Sequence, residues 1–333
     1  MDLKAKFASV VSGEVSDSEI DLRHASRDTS LFTRTPKLVV YPKDTGDVSN
    51  VVKAAVSAQE AGTEVSLTGR AAGTDMSGGP LTTSVVVSFT KHMNHVLEVG
   101  EGYAITEPGV FYRDFEKATL EKGLILPSYP ASREIAALGG IVANNSGGER
   151  TLEYGKTEKY LEEVECVLSD GSVVNFKALT TTELEEKKKQ KDLEGEIYRK
   201  MDALLSKNEE LIKERTPKVS KNSAGYALWN IKNPAAGTFN LAKLICGSQG
   251  TLALWTKAKL ALVKPKEHRA MLVVFLSDIN ILPDVVHRVL PFHPESFESY
   301  DDHTFTLAVR FLPQMLSQMG FIREARLIVY SRA

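Results

Sequence analysis

An α+β fold is predicted by three observations: a strand–helix–strand unit near the start of the chain, a strand-rich stretch beyond about residue 90, and two separate loops crowded with glycine and other small residues. Leu38-Val39-Val40-Tyr41 is a short apolar run closed by Pro42. From Val48 to Ala61, the residues Val48, Val51, Val52, Ala55 and Val56 recur at helical spacing, with Asp47 placed to cap the start and Gly62 the end. Val65-Ser66-Leu67 and the segment 84–89 are of strand length, so strand, helix, strand in that order predicts a parallel βαβ unit. Residues before about 35 are polar and mixed and predict a short lead-in of helix and loop. Beyond residue 90, strands are predicted around 96–99 and 103–107, and a helix from Phe111 to Lys122 ending at Gly123. Leu161–Leu168 and Val173–Phe176, turned through Asp170-Gly171, predict a hairpin. The Lys- and Glu-rich run from Glu183 to Gly195 predicts a solvated helix or surface insertion. Two further strands, Leu241–Cys246 and Leu252–Val263, end at Lys264-Pro265, and Met271–Leu276 predicts a strand that opens a second domain.

Composition narrows the function. The chain has 333 residues, 25% of them charged, and a formal net charge of -2, which implies about two domains at roughly 150 residues each. A charge this close to neutral leaves no electrostatic footprint for nucleic acid. Cys166 and Cys246 are far apart and in no metal-ligand spacing, which implies a reducing compartment and no metal site. The first residues lack the apolar core of a signal peptide, and no run of about 18 apolar residues occurs. The chain therefore reads as cytoplasmic, with attachment to the membrane periphery left open.

Two loops carry the chemistry. The first is Thr68-Gly69-Arg70-Ala71-Ala72-Gly73-Thr74-Asp75-Met76-Ser77-Gly78-Gly79-Pro80. Small side chains let a ligand approach the backbone, and successive N–H groups can turn inward as a nest for phosphate oxygens. The loop runs into another strand rather than a helix and lacks Gly-Lys-Ser/Thr, so it is neither a Rossmann fingerprint nor a P-loop. Read alone, a plain glycine-rich connection explains it equally well. The second region begins at Pro127-Ser128-Tyr129-Pro130-Ala131-Ser132 and continues through Leu138-Gly139-Gly140-Ile141-Val142-Ala143-Asn144-Asn145-Ser146-Gly147-Gly148 to Tyr154-Gly155. Two such sites suit a ligand long enough to lie along both, a dinucleotide; a pair of tight turns using Asn for left-handed geometry is the alternative. His92 and His95 are three apart and could share a helix face as metal ligands, but their flanks read as loop, which makes them surface residues.

These segments, with Ser169-Asp170-Gly171, Lys221-Asn222-Ser223-Ala224-Gly225-Tyr226-Ala227-Leu228 and Gly247-Ser248-Gln249-Gly250-Thr251-Leu252, together resemble the FAD-binding oxidoreductases of the vanillyl-alcohol oxidase (PCMH) type. The branch resembled is that of D-lactate dehydrogenase and the glycolate oxidase FAD subunit. Each motif is weak alone, and their order is specific. The resemblance implies a lead-in over 1–35 and a PCMH-type FAD-binding domain over 36–265. It divides the chain to that point into two α/β subdomains, about 1–85 and 86–265, and makes 266–333 the start of an incomplete α+β substrate domain. It implies that Gly69, Arg70, Ala71, Ala72, Gly73, Thr74, Ser77, Gly78 and Gly79 form the pyrophosphate loop. Pro130, Ser132, Gly139, Gly140, Asn145 and Gly147 would be the second FAD-binding stretch, and Gly247, Ser248, Gly250 and Thr251 a third. Gln249 stands where relatives usually have Glu. Ala71 and Ala72 replace the commoner Gly-Gly, and Thr74 stands where covalent flavoproteins of this type often have His, so FAD is expected to be non-covalent. The implied activity is dehydrogenation of a small D-2-hydroxy acid by hydride transfer to flavin N5, with an unidentified electron acceptor. The same domain could instead serve another PCMH-type reaction such as alkylglycerone-phosphate synthesis, or be an FAD-binding module without a complete active site. The His-rich substrate motif of the branch lies later than this chain reaches, so no catalytic residue is carried over.

Overall fold

The computed structural model describes residues 2–219 and 221–318, and its contacts divide the chain into a unit ending at Glu295 and another beginning at Ser296. The lead-in holds more structure than predicted: α1 (Leu3–Ala8), β1 (Glu14–Ser16) and α2 (Glu19–Ala25). β1 pairs antiparallel with β2 (Leu38–Tyr41), Glu14 opposite Tyr41, and Phe7 of α1 is buried in the same core. Three residues with one apolar side chain are too few to show a period of two, so pattern alone misses this edge strand.

After β2 come α3 (Thr45–Glu60), β3 (Leu67–Arg70) and β4 (Val85–Ser88), which complete a sheet in the order β1-β2-β4-β3, with β2 and β3 both parallel to β4. The predicted βαβ unit is thus present, with two corrections. Asp44 rather than Asp47 caps α3, its carboxylate accepting the Asp47 N–H at 2.9 Å. Asp47 instead accepts the N–H groups of Ser12, Gly13 and Lys43, which fastens the N-terminal segment to the sheet. The strand predicted at 65–67 lies later and runs into the glycine loop, so Gly69 and Arg70 are strand residues. Glycine is a poor strand former, but here it fits: a Cβ on Gly69 would lie 3.0 Å from the Leu254 side chain. Val48, Val51, Val52, Ala55 and Ala58 of α3 pack with Val85 and Val87, and this burial rather than intrinsic propensity stabilises the helix.

The second layer opens with β5 (Val96–Val99), β6 (Tyr103–Thr106), α4 (Tyr112–Leu120), α5 (Leu138–Ala143) and α6 (Thr151–Tyr154). It continues through β7 (Leu161–Val167) and β8 (Val173–Phe176), the predicted hairpin, whose turn places Gly171 at φ 81. A small sheet of β9 (Ala178–Thr180), β10 (Lys232–Asn233) and β11 (Thr238–Asn240) follows, in the order β10-β11-β9. The charged run forms α7 (Thr181–Lys189), opened by a capping box of Thr180 and Glu183, then α8 (Leu193–Lys207) and α9 (Glu209–Arg215). Leu241–Cys246 is helical rather than extended, forming α10 (Ala242–Ile245), with the Asn240 side chain accepting the Ala242 N–H at 2.9 Å. Its buried Ala242 and Ile245 fit one helical turn as well as a short strand, an ambiguity that periodicity cannot resolve. β12 (Leu254–Ala261) lies at the centre of the five-stranded antiparallel sheet β5-β6-β12-β7-β8. The predicted strand 271–276 is not formed: no strand pairs with it among the described residues, and Met271 and Phe275 are 89% and 84% exposed. An apolar run becomes a strand only where a neighbour supplies the ladder. It is followed by α11 (Leu282–Val289). In the second unit the described element is α12 (Asp302–Gln318); residues 319–333 of the predicted substrate domain lie outside the described residues. No helix among the described residues is long and apolar enough to cross a membrane.

Candidate functional site

Where β3 leaves the first sheet, the loop that follows meets the start of α5. A Cβ on Gly139 would lie 2.8 Å from the Pro108 carbonyl oxygen and 2.9 Å from the Ala71 Cβ, so the close approach of loop to helix requires glycine there. The Gly139 N–H donates to that Pro108 oxygen at 2.7 Å, and its carbonyl accepts the Trp255 indole N–H at 3.4 Å. Segment 247–251 is latched to the other end of α5. Gly247 N–H donates to Val142 O at 3.0 Å, Gln249 N–H to Ala143 O at 2.9 Å, and the Gln249 amide to Asn144 Oδ1 at 3.0 Å. The Gln in place of Glu therefore acts as a donor within the protein, a role a carboxylate could not fill.

The two ends of the loop differ. Among the described residues, the N–H groups of Ala71, Ala72, Gly73, Thr74 and Gly140 meet no acceptor. Unpartnered amides on a loop of small residues, beside a helix start, form a row of donors for an anion. Further along, Asp75 Oδ1 accepts the Ser77 N–H at 2.6 Å, the Ser77 hydroxyl at 3.0 Å and the Gly79 N–H at 3.1 Å. Burial works to raise the Asp75 pKa, but the amides of 77–79 prevail and hold the carboxyl below its ordinary value of 3.8. Ser77 and Gly79 thus serve an internal anion, and Gly78 turns between them at φ 86.

Arg70 is 5% exposed, and its guanidinium donates to Arg27 O at 2.7 Å, His24 O at 3.4 Å and Ala25 O at 3.5 Å. Burial lowers its pKa while the Asp28 carboxylate acts the other way. Arg70 therefore braces the loop against the end of α2. Gly73 adopts φ 69 directly over this guanidinium, and a Cβ there would fall 2.3 Å from it.

In the second stretch, Asn145 takes φ 46; its Oδ1 accepts the Glu158 N–H at 2.9 Å and its Nδ2 donates to the Glu158 carboxylate at 2.7 Å. A Cβ on Gly147 would lie 2.5 Å from Thr151 Oγ1, a buried hydroxyl without a partner. Pro130 and Ser132 lie on the turn preceding α5, where the Pro130 and Ser132 carbonyls accept N–H groups of Arg133 and of Ile135 and Ala136. Thr251 Oγ1 donates to Ser248 O at 2.5 Å and bonds the Tyr226 hydroxyl at 2.8 Å. The structure thus brings together Ala71, Gly139 and the 247–251 segment, with Gly79 beside Gln249, while the turn holding Pro130 and Ser132 packs on Gly148 of the second stretch. His92 and His95 each face a carboxylate, Glu14 at 3.1 Å and Glu107 at 2.8 Å. Sequence reasoning missed Asp75, although an Asp two residues ahead of Ser is itself a side-chain-to-backbone turn signal. It also passed over Lys156, which directly follows the quoted Tyr154-Gly155.

Residues 36–177 match the family model described as an FAD binding domain. Among curated relatives, the D-2-hydroxyglutarate dehydrogenase of Escherichia coli is 29% identical over 303 residues, covering 89% of this chain and 29% of that protein. The glycolate oxidase subunit GlcD of Bacillus subtilis is 27% identical, covering 79% of this chain and 44% of its own. The D-lactate dehydrogenase of Archaeoglobus fulgidus is 27% identical, covering 81% and 52%. The chain thus spans between about a third and half the length of these relatives. A solved alkyldihydroxyacetonephosphate synthase shares the fold, with a TM-score of 0.52 at 19% identity over 76% of this chain and 38% of that one.

Proposed function

From residues 36–177, an FAD-binding domain of the PCMH type with FAD as its cofactor, we propose that the protein takes part in dehydrogenating a small D-2-hydroxy acid and holds its flavin without a covalent bond. The observation that carries the reading is the row of unpartnered amides at Ala71–Thr74 and Gly140, the donor set that a diphosphate fits. The orphaned Thr151 hydroxyl and the tight glycines of the second stretch fit a ligand lying against both loops. Ala71, Ala72, Gly73, Thr74 and Gly140 would hold the diphosphate; Gly247, Ser248, Gly250 and Thr251 would border it. Thr74 offers a hydroxyl where an attachment would need an imidazole. Bound FAD supplies the hydride-accepting chemistry. The chain's own residues anchor and orient it: Arg70 fixes the loop, Asn145 fixes the second stretch on Glu158, and Gln249 ties the third to the second. The hydroxy-acid names of the relatives support a CH–OH donor.

The test is the absorbance spectrum of the purified chain before and after acid precipitation, followed by anaerobic addition of D-lactate, glycolate and D-2-hydroxyglutarate. Flavin bands that pass into the supernatant, and bleaching by one of the three acids, are expected. Flavin retained in the pellet would overturn the non-covalent assignment, and flavin unbleached by all three would overturn the hydroxy-acid assignment.

A further inference from the structure

We propose that the cavity between Lys156 and Lys243 is a binding site for a small carboxylate, adjoining the second and third cofactor segments. It deepens the reading above, and rests on it only for the source of that carboxylate, the 2-hydroxy acid itself. The cavity has a volume of about 440 Å³ and is lined by residues that include Asn145, Gly247, Asn222, Ser223 and Trp229. That is within the range of roughly 300–1,000 Å³ usual for small-molecule sites.

Its charges lack ion-pair partners among the described residues. Lys156, 5% exposed, is the only buried lysine among the described residues. Its ammonium donates to Asn222 O at 2.8 Å and to the Ser223 hydroxyl. The Lys243 ammonium donates to Glu158 O at 2.5 Å and Leu161 O at 2.8 Å. Every one of these acceptors is neutral, and neither ammonium forms an ion pair among the described residues. Several other lysines are paired: Lys187, Lys188, Lys232 and Lys266 each meet a carboxylate within 3.0 Å. Buried charge is normally matched by opposite charge, because desolvation is otherwise uncompensated. Burial accordingly lowers the pKa of both lysines.

The ionisable groups lining the cavity leave an excess of positive charge, although the Glu158 carboxylate acts on both ammoniums and Glu162, outside the cavity, acts on Lys243. Glu158 lines the cavity with its carboxylate engaged by Asn145, against Lys156, Lys159 and Lys243. Cys246 also lines it, and both ammoniums act on its thiol; burial raises that thiol's pKa, so it stays neutral and adds no anion. Asn145 gives the cavity a link to the cofactor segments, since its Oδ1 accepts both the Glu158 N–H and the Cys246 thiol, the latter at 3.6 Å.

Oxalate is a suitable probe, being a carboxylate with no C–H bond to oxidise. Titrated calorimetrically into the FAD-loaded full chain, it is expected to bind saturably at one site. Lys156→Gln and Lys243→Gln should each weaken it at least tenfold at unchanged FAD content, with Lys156→Arg retaining part of the affinity. In the unmutated protein, oxalate should also protect Lys156 from acetic anhydride, read by mass spectrometry, a measurement independent of how well the variants fold. Absence of saturable binding, unaltered affinity in both Gln variants, unprotected Lys156, or tighter binding of inorganic phosphate than of oxalate would each overturn the proposal. Oxalate binding needs no redox step, so failure here is separate from failure of hydroxy acids to bleach the flavin.

Discussion

The inner and outer halves of the 70–79 loop use the same kinds of residue and reach opposite states. Residues 71–74 leave their N–H groups without acceptors, whereas those of Ser77 and Gly79 are taken by the Asp75 carboxylate. Glycine content therefore does not determine where an anion binds. What matters is whether a side chain within reach already supplies the charge. On the proposed reading the inner half would receive the diphosphate, whereas the outer half is a turn closed on its own Asp75 carboxylate.

Three experiments break or sharpen the comparison. The largest effect is expected from Gly139→Val, which drives a side chain into Pro108 and Ala71 and displaces the inner half. FAD affinity should fall at least a hundredfold, about 2.8 kcal/mol, measured as flavin retained after desalting, with circular dichroism showing the fold intact. Retention at the unmutated level would mean that the inner amides do not hold the cofactor. A smaller effect is expected at Asp75. Asp75→Asn keeps an acceptor for the turn and removes a charge that repels the diphosphate, so FAD should bind about 3- to 10-fold tighter. Asp75→Ala loses the acceptor as well and should bind more weakly than Asn. If Ala instead binds more tightly than Asn in fluorescence titration, the outer amides compete for the diphosphate and the division between the halves fails. The smallest effect is on stability against pH. Because the Asp75 carboxyl is depressed in the folded chain from 3.8, its contribution is complete above that value and is lost as pH falls through the lower folded value. The melting temperatures of wild type and Asp75→Asn should therefore differ at neutral pH and converge well below 3.8; a gap that persists there would assign the effect to packing.

Much of this arrangement was legible in the sequence because it depends on local chemistry. The α3 periodicity and the Asp-Gly hairpin are short-range signals, and the structure contains both. The two glycine-rich segments do meet in space, since only small residues tolerate the contact of Ala71 with Gly139. Sequence did not separate the amides that are free from those already taken, because that depends on where the Asp75 side chain folds back. Nor did it show that Arg70 points its charge at main-chain carbonyls: an arginine in a phosphate loop suggests phosphate, and only the placement of α2 redirects it. Leu241–Cys246 and Met271–Leu276 failed for a shared reason, that a short apolar run becomes strand or helix according to its neighbours.

The grip of Arg70 on Arg27, His24 and Ala25 bears on how this protein can be cut and recombined. The similarity to the FAD binding domain begins at residue 36, and a designer shortening the chain or grafting the domain would naturally start there. Such a cut would remove all three carbonyls along with β1, stranding a buried guanidinium beneath the loop, a loss that typically costs several kcal/mol. The smallest portable module is therefore longer than the matched segment, because the N-terminal turn outside it supplies the acceptors that hold the loop's arginine.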